Sequence, residues 1–363
     1  MDQYGDLVDL VEEYAIDGDS PIFDDCYNSG GANSIATLIN FTSHEFNNLW
    51  RVVMPQLAAA WTLGRGRKPS MLPKDVLFAT LLVLKHFDCW DKHGIDFSIL
   101  SSTLEKTVYK VIDISGDVLY EHFVKPVDMT SQNQNGETFS NYPYALYATD
   151  VKFQPAYKPA GRFEEQKEYF SGKHKLYGYK IEVSVALPGI AVLLTQHYPG
   201  SKADVSIFHD NIDQHYLHLS KSENEKSQAD YGKLGVEYPD HWALLVDMGY
   251  QGAARSIRAI QLRRKPRGAT LTHDQISRNS RISSDRVLVE NYFGRMCKLW
   301  NAMYVTFKWA GNRYDSIARI CIALTNCHCG LMPLREAGGH EYKTVLAKYQ
   351  AMGAAQATKK QEV

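Results

Sequence analysis

The sequence predicts a mixed α/β protein, a sheet flanked by helices and preceded by a small all-helical domain with a candidate helix-turn-helix. Three observations predict it. Residues 35–125 repeat apolar side chains at three and four, the period of a helix face. Between 146 and 246 come short apolar runs, one alternating at period two and one continuous, as strands do. Long helical patterns at 283–304 and 313–331 then follow, and the order β-β-β-α-β-α-α implies a mixed sheet with helices against it.

Residues 1–34 read as an acidic flexible leader ending in SGGANS. In 35–130, FTSHEFNNLWRVVMPQL offers Thr42 or Ser43 as N-cap, and Pro73 opens PKDVLFATLLVLKHFDCW. After Gly94 a serine-rich turn precedes another helix, from which Ser101, Ser102, Thr103, Lys106 and Lys110 would face DNA if this is a helix-turn-helix. A plain helical domain packed on the core is an equal reading. SQNQNGETFSN lies in a polar linker, 131–142.

The strand domain occupies 143–335, followed by a C-terminal tail, 336–363. LYATDVKF (146–153) is its first strand; YGYKIEVSVAL and IAVLLTQHY form a hairpin about Pro188-Gly189. ADVSIFHDNIDQHYLHL (203–219) is helix-like, and WALLVD is a strand buried on both faces.

The 363 residues carry 40 Lys and Arg against 41 Asp and Glu, yet the first 50 hold ten acids and no Lys or Arg. The remaining 31 acids thus face all 40 basic residues, so the body is basic and suits a polyanionic partner. The leader is read as a solvated segment. Six scattered cysteines make no disulfide framework and suit a reducing compartment. The acidic start lacks the features of a signal peptide, and VLFATLLVL is too short to span a bilayer, so a soluble intracellular protein without a membrane partner is expected.

Two of the strands carry a carboxylate where an apolar residue is expected. Asp150 follows Leu146-Tyr147-Ala148-Thr149, and Asp247 follows Ala243-Leu244-Leu245-Val246. A third acid, Glu290, borders the apolar stripe Val289, Phe293, Met296, Trp300 and Met303 of a helix. Three converging carboxylates repel unless a cation joins them. Oxygen ligands without clustered His or Cys favour Mg²⁺ or Mn²⁺. A pair of such ions would activate a water or a 3′-hydroxyl against a phosphodiester.

The ordered set D-x-K-F in a strand, YFSGKHKLYGYKIEV, YPGSKADVSIF, LLVDMGYQG and RVLVENYFGRMCKLW resembles the DDE-superfamily transposases, nearest to the PIF/Harbinger type and its bacterial insertion-sequence relatives. The resemblance covers about residues 143–331. It implies a ribonuclease-H-like catalytic fold, cutting and strand transfer on duplex DNA, and two bound Mg²⁺ or Mn²⁺ ions. By it, Asp150, Asp247 and Glu290 are the catalytic metal ligands, 97 and then 43 residues apart. Lys173 in Ser171-Gly172-Lys173 would hold a phosphate, and Arg286, one turn before Glu290, would contact the DNA backbone or orient the Glu. Asp204 is a helix cap or an accessory acid, with the cap preferred. Relatives commonly carry a Lys seven residues after the Glu; here Cys297 stands there, and Lys298 substitutes only in part because one residue turns the charge by about 100°.

LRRKPRG places Arg263, Arg264 and Lys265 together, as a DNA grip, a nuclear import patch or a solvated turn; GRGRKP (64–69) is weaker. Cys327-His328-Cys329 reads as buried thiols rather than zinc. His174 and His197 read as ordinary polar residues. Trp242, Trp300 and Trp309 are core or ridge residues before base-stacking ones.

The leading expectation is a metal-dependent DNA transposase acting in the nucleus on transposon ends and target DNA, as a homo-oligomer, with or without a separate DNA-binding helper. The alternative is a domesticated, catalytically silent DNA-binding or interaction protein. A metal hydrolase of nucleotides or RNA on the same fold ranks third.

Overall fold

In the first part of the chain, prolines and caps set where helices begin. The computed structural model describes residues 20–62, 71–160, 162–268, 270–334 and 339–361; the leader up to residue 19 and GRGRKP lie outside them. The chain divides into two compact units, Met1–Val118 and Leu119–Val363.

In the first unit, α1 (Pro21–Ile39) starts with its proline and kinks at Gly31, whose φ is +69°, so the break read at SGGANS is a bend within a helix. Thr42 caps α2 (Ser43–Thr62): Glu45 N–H donates to its Oγ1, and Thr42 N–H donates to the Glu45 carboxylate. Helix α3 (Pro73–His86) is buried from Lys74 to Leu84. Phe78 from α3 meets Phe23 and Phe46, with ring centroids 5.1–5.8 Å apart across the trio. Asp75, fully buried, accepts the Phe23 N–H at 3.0 Å.

The turn between α4 (Trp90–Asp96) and α5 (Ser101–Phe123) is tight. A Cβ on Gly94 would lie 2.7 Å from the Ile99 carbonyl oxygen. Gly94→Ala is therefore expected to cost about 2 kcal/mol through forced backbone movement, read as a lower denaturation midpoint; an unchanged midpoint would show the turn to be slack. Of the residues read as facing DNA, Ser102, Thr103 and Lys106 are exposed and Ser101 is half-buried. Lys110 is exposed too; its Nζ donates to the Ala60 carbonyl at 3.1 Å and lies 4.6 Å over the Trp61 ring, so it also ties α5 to α2.

In the second unit the stretch read as a linker contains a helix, α6 (Met129–Asn135), capped by Asp128 through the Ser131 N–H. Buried Gln132 anchors it by donating to the Leu146 carbonyl. Seven strands follow: β1 (Ala145–Pro155), then, beyond α7 (Phe163–Glu168), β2 (Phe170–Ser171), β3 (Leu176–Ala186), β4 (Ile190–Leu194) and β5 (Tyr198–Pro199). After α8 (Asp204–Asp210), α9 (Ile212–Leu219) and α10 (Glu223–Lys226) come β6 (Ala243–Val246) and β7 (Ala259–Gln261). Strand β3 pairs antiparallel with β1 and with β4, while β1, β6 and β7 run parallel. The sheet is therefore mixed, with β1 between its antiparallel and parallel halves.

Helices α11 (His273–Leu299), α12 (Tyr314–Leu331) and α13 (Gly339–Gln361) complete the unit. One face of β1 turns Asp150 and Gln154 to α11 and the segment after it, through Arg286 and the Val305 carbonyl. The other face meets α9, where His215 bonds both the Tyr147 hydroxyl and the Glu182 carboxylate at 3.0 Å. Strand β3 is buried on both faces, so its polar alternates are not a wet side: Lys180, Glu182 and Ser184 each have a partner, in Asp204, His215 and Thr149. The segment read as a tail contains α13, which packs along α11, with Tyr342, Val345, Tyr349 and Gly353 buried. No helix among the described residues is long and apolar enough to cross a membrane.

Candidate active site

The β1–β6 ladder brings the two aspartates together. Its last pair is Thr149 opposite Val246, so Asp150 and Asp247 follow side by side on strands about 4.8 Å apart. Asp150 is thus not at a strand end: it is the sixth of eleven residues in β1, level with the point where the shorter β6 stops.

Between these acids lies the guanidinium of Arg286, which is 4% exposed. Its Nη2 donates to Asp150 Oδ2 at 2.8 Å and its Nη1 lies 3.2 Å from Asp247 Oδ1. The other Asp150 oxygen accepts the Val151 N–H at 2.8 Å. Burial pushes the Asp150 carboxyl up to about 6; Arg286 opposes this, while Asp247 and Asp204 add to it. Glu290 stands one helical turn after Arg286 on α11, half-buried, and its charge helps hold that guanidinium protonated. It makes no ion pair within 4 Å among the described residues.

The acids suit a hard divalent cation by their chemistry: all are carboxylates, and two of them already converge on one positive group. As placed, no three His, Cys, Asp or Glu side chains among the described residues are close enough to hold an ion. Arg286 supplies the positive charge between the two aspartates.

The other expected residues divide. Asp204 does not cap: the N-cap of α8 is Ala203, and Asp204 Oδ1 instead accepts from Lys180 Nζ at 2.9 Å. Cys297 is buried and its Sγ donates to the Met303 carbonyl, whereas Lys298 is exposed on a different side of α11. Arg263, Arg264 and Lys265 are exposed in the loop after β7. Val246 pairs with Gln261, so this loop leaves the sheet at the same edge as Asp247. Asn279 pins it, accepting the Arg263 N–H and donating to the Arg263 carbonyl, each at 2.9 Å. Lys173 is exposed in the turn between β2 and β3, whose His174 stacks on Phe153 at 4.4 Å, about 10 Å of strand from Asp150. In Cys327-His328-Cys329, burial pushes the Cys329 thiol up to about 11, and His328 Nδ1 lies 3.1 Å from Arg295 Nη1. Trp242 and Trp300 are core; Trp309 is half-buried.

Lys180, Tyr250 and Tyr342 were not singled out in the sequence. Tyr250 is fully buried, and its N–H donates to the Asp247 carbonyl at 3.2 Å, closing the turn after β6. Buried Tyr342 brings α13 against Phe293, with ring centroids 5.2 Å apart. Only Lys180 left a signal, as a charge in a strand otherwise rich in apolar residues.

His174 supplies a pH test. Burial, then the charges of Lys173 and Lys180, lower its imidazole to about 4 from 6.5. The unfolded chain takes up this proton below pH 6.5 and the folded one only near 4, so stability falls as pH drops through that window, by roughly 3 kcal/mol in all. Urea melts should show His174→Gln losing less stability than wild type between pH 7 and 4.5. Parallel losses would contradict the assignment.

A mixed sheet of this order, with acids on adjacent parallel strands and on the helix packed beside them, fits a ribonuclease-H-like fold. Residues 147–326 match the DDE superfamily endonuclease family. This matched stretch contains Asp150, Asp204, Asp247 and Glu290. Comparison with curated proteins and with solved structures gave no match.

Proposed function

We propose that the protein is a divalent-metal-dependent DNA endonuclease and strand transferase of a cut-and-paste element, of PIF/Harbinger type. The observation that carries the reading is the placing of Asp150 and Asp247 on neighbouring strands around one shared positive group, with Glu290 a turn from that group's own residue.

Asp150, Asp247 and Glu290 would hold two Mg²⁺ or Mn²⁺ ions. Once bound, these supply an activated water or 3′-hydroxyl and neutralise charge at the scissile phosphate. The chain's own residues do the remaining work. The β1–β6 ladder fixes the two aspartates. Arg286 balances the charge of the two aspartates and, one turn from Glu290, would be in place to meet a DNA phosphate. Arg263, Arg264 and Lys265 meet the backbone beside the cut and Lys173 meets it farther along, while exposed Lys298 adds general attraction. Lys180 pairs with Asp204, whose charge also acts on Asp150.

The reaction joins two DNA ends, so a homo-oligomer is expected, with or without a DNA-reading helper, and the exposed basic loop suits entry to the nucleus. Nicking of supercoiled plasmid tests the reading: cleavage with Mg²⁺ or Mn²⁺ and none with EDTA is expected. Binding of DNA without cleavage in Mn²⁺ would favour the silent descendant, which Cys297 in place of a lysine recommends.

A further inference from the structure

A cavity of about 520 Å³ lies at the far end of β1, away from the acids, within the size range of small-ligand sites. The local chain path builds it. Phe307 N–H donates to the Pro155 carbonyl at 2.7 Å and Tyr157 N–H donates to the Phe307 carbonyl at 3.1 Å, so residues 305–309 lie alongside the strand's end. Tyr157, Tyr169, Tyr179 and Trp309 furnish aromatic walls.

These walls are set before any ligand arrives. Tyr179 lies edge-on to Tyr169 at 5.7 Å and to Phe307 at 6.0 Å. Gly311 keeps the space open, since a Cβ there would fall 2.6 Å from the Tyr179 hydroxyl. Tyr157 is different: it is 66% exposed at the rim, where its ring can meet a ligand entering the cavity.

Charge decides the class of occupant. Aromatic boxes commonly take organic cations, but Lys158 and Lys308 line this one and no carboxylate does among the described residues. A cation would be repelled. A flat aromatic group joined to an anion satisfies both parts of the lining, which is the chemistry of a nucleobase with its phosphate.

Position agrees. Tyr179 pairs with Gln154, so the cavity opens on the sheet face that carries Asp150. Ala156 lies six residues beyond Asp150, about 20 Å of strand, or roughly six base-pair steps of duplex.

We propose that this cavity takes one unstacked base, with its phosphate, from the DNA strand engaged at the acid site. The inference rests on DNA being the substrate but not on cleavage, so it is tested by binding alone. The full chain, without metal, is titrated against a labelled 12-nucleotide single strand and an abasic strand of equal length. Wild type should prefer the base-bearing strand about tenfold. Tyr157→Ala, an exposed change that leaves the core intact, should cut the preference to threefold or less without weakening abasic binding. Gly311→Ala, which narrows the cavity, should do the same with every aromatic ring kept. Equal binding of the two strands by wild type would overturn the proposal, as would unaltered preference in both variants, or displacement of the single strand by a tetramethylammonium salt but not by matched sodium chloride.

Discussion

Asp247→Asn is expected to lower metal-dependent DNA nicking by at least about a thousandfold while leaving the fold and DNA binding in place. The amide has nearly the carboxylate's shape, so the turn closed by the Tyr250 N–H and the Asp247 carbonyl should survive. Among the described residues, the removed charge is one of two that face Arg286 at 3.2 Å or less. On the proposed reading, the substitution removes one of the carboxylates that would hold the ions. Parallel measurement of thermal midpoint, plasmid nicking and DNA affinity separates the outcomes. Retained nicking would remove Asp247 from the chemistry; loss of all three properties would show a structural role instead.

Arg286→Gln should have the second largest effect, and its sign depends on metal. Without ions, Asp150 and Asp247 are left side by side with no positive partner. Removing one member of a buried ionic set costs 3–5 kcal/mol in general. Asp247 is 41% exposed and Asp150 20%, so screening reduces the expected loss to about 2 kcal/mol. Saturating Mn²⁺ should then stabilise the variant more than wild type, since no guanidinium competes for the same oxygens. Urea melts with EDTA and with Mn²⁺ give all four values. Equal stability without metal, or equal gain with it, would contradict the view that Arg286 holds the place of a cation.

The parts of this site that the sequence made legible are those that break a pattern. Asp150 and Asp247 stood out because each interrupts an apolar run, and the ordered motifs around them carried the fold with them. Glu290 was found as an acid bordering a stripe. Elements that rely on partners were harder to see. Strand β7 is three residues long and exists only through β6. Residues 203–219 read as a single helix, yet Asn211 ends α8 and begins α9, its side chain bonding the Ile207 carbonyl and the Tyr198 hydroxyl. Helix α13 hid because its packed face uses Gly353 and widely spaced tyrosines in place of a dense apolar stripe. Asp204 looked like a cap from its place at a helix start; its bond to Lys180 joins residues 24 apart, which no local pattern reports.

The most direct measurement of the central claim is electron paramagnetic resonance of Mn²⁺ added to the purified full chain. A coupled pair of ions per protomer, lost in Asp150→Asn and in Asp247→Asn and weakened in Glu290→Gln, is the predicted result. Mn²⁺ that stays free in solution at millimolar concentration, or a bound signal unaltered by all three substitutions, would contradict it.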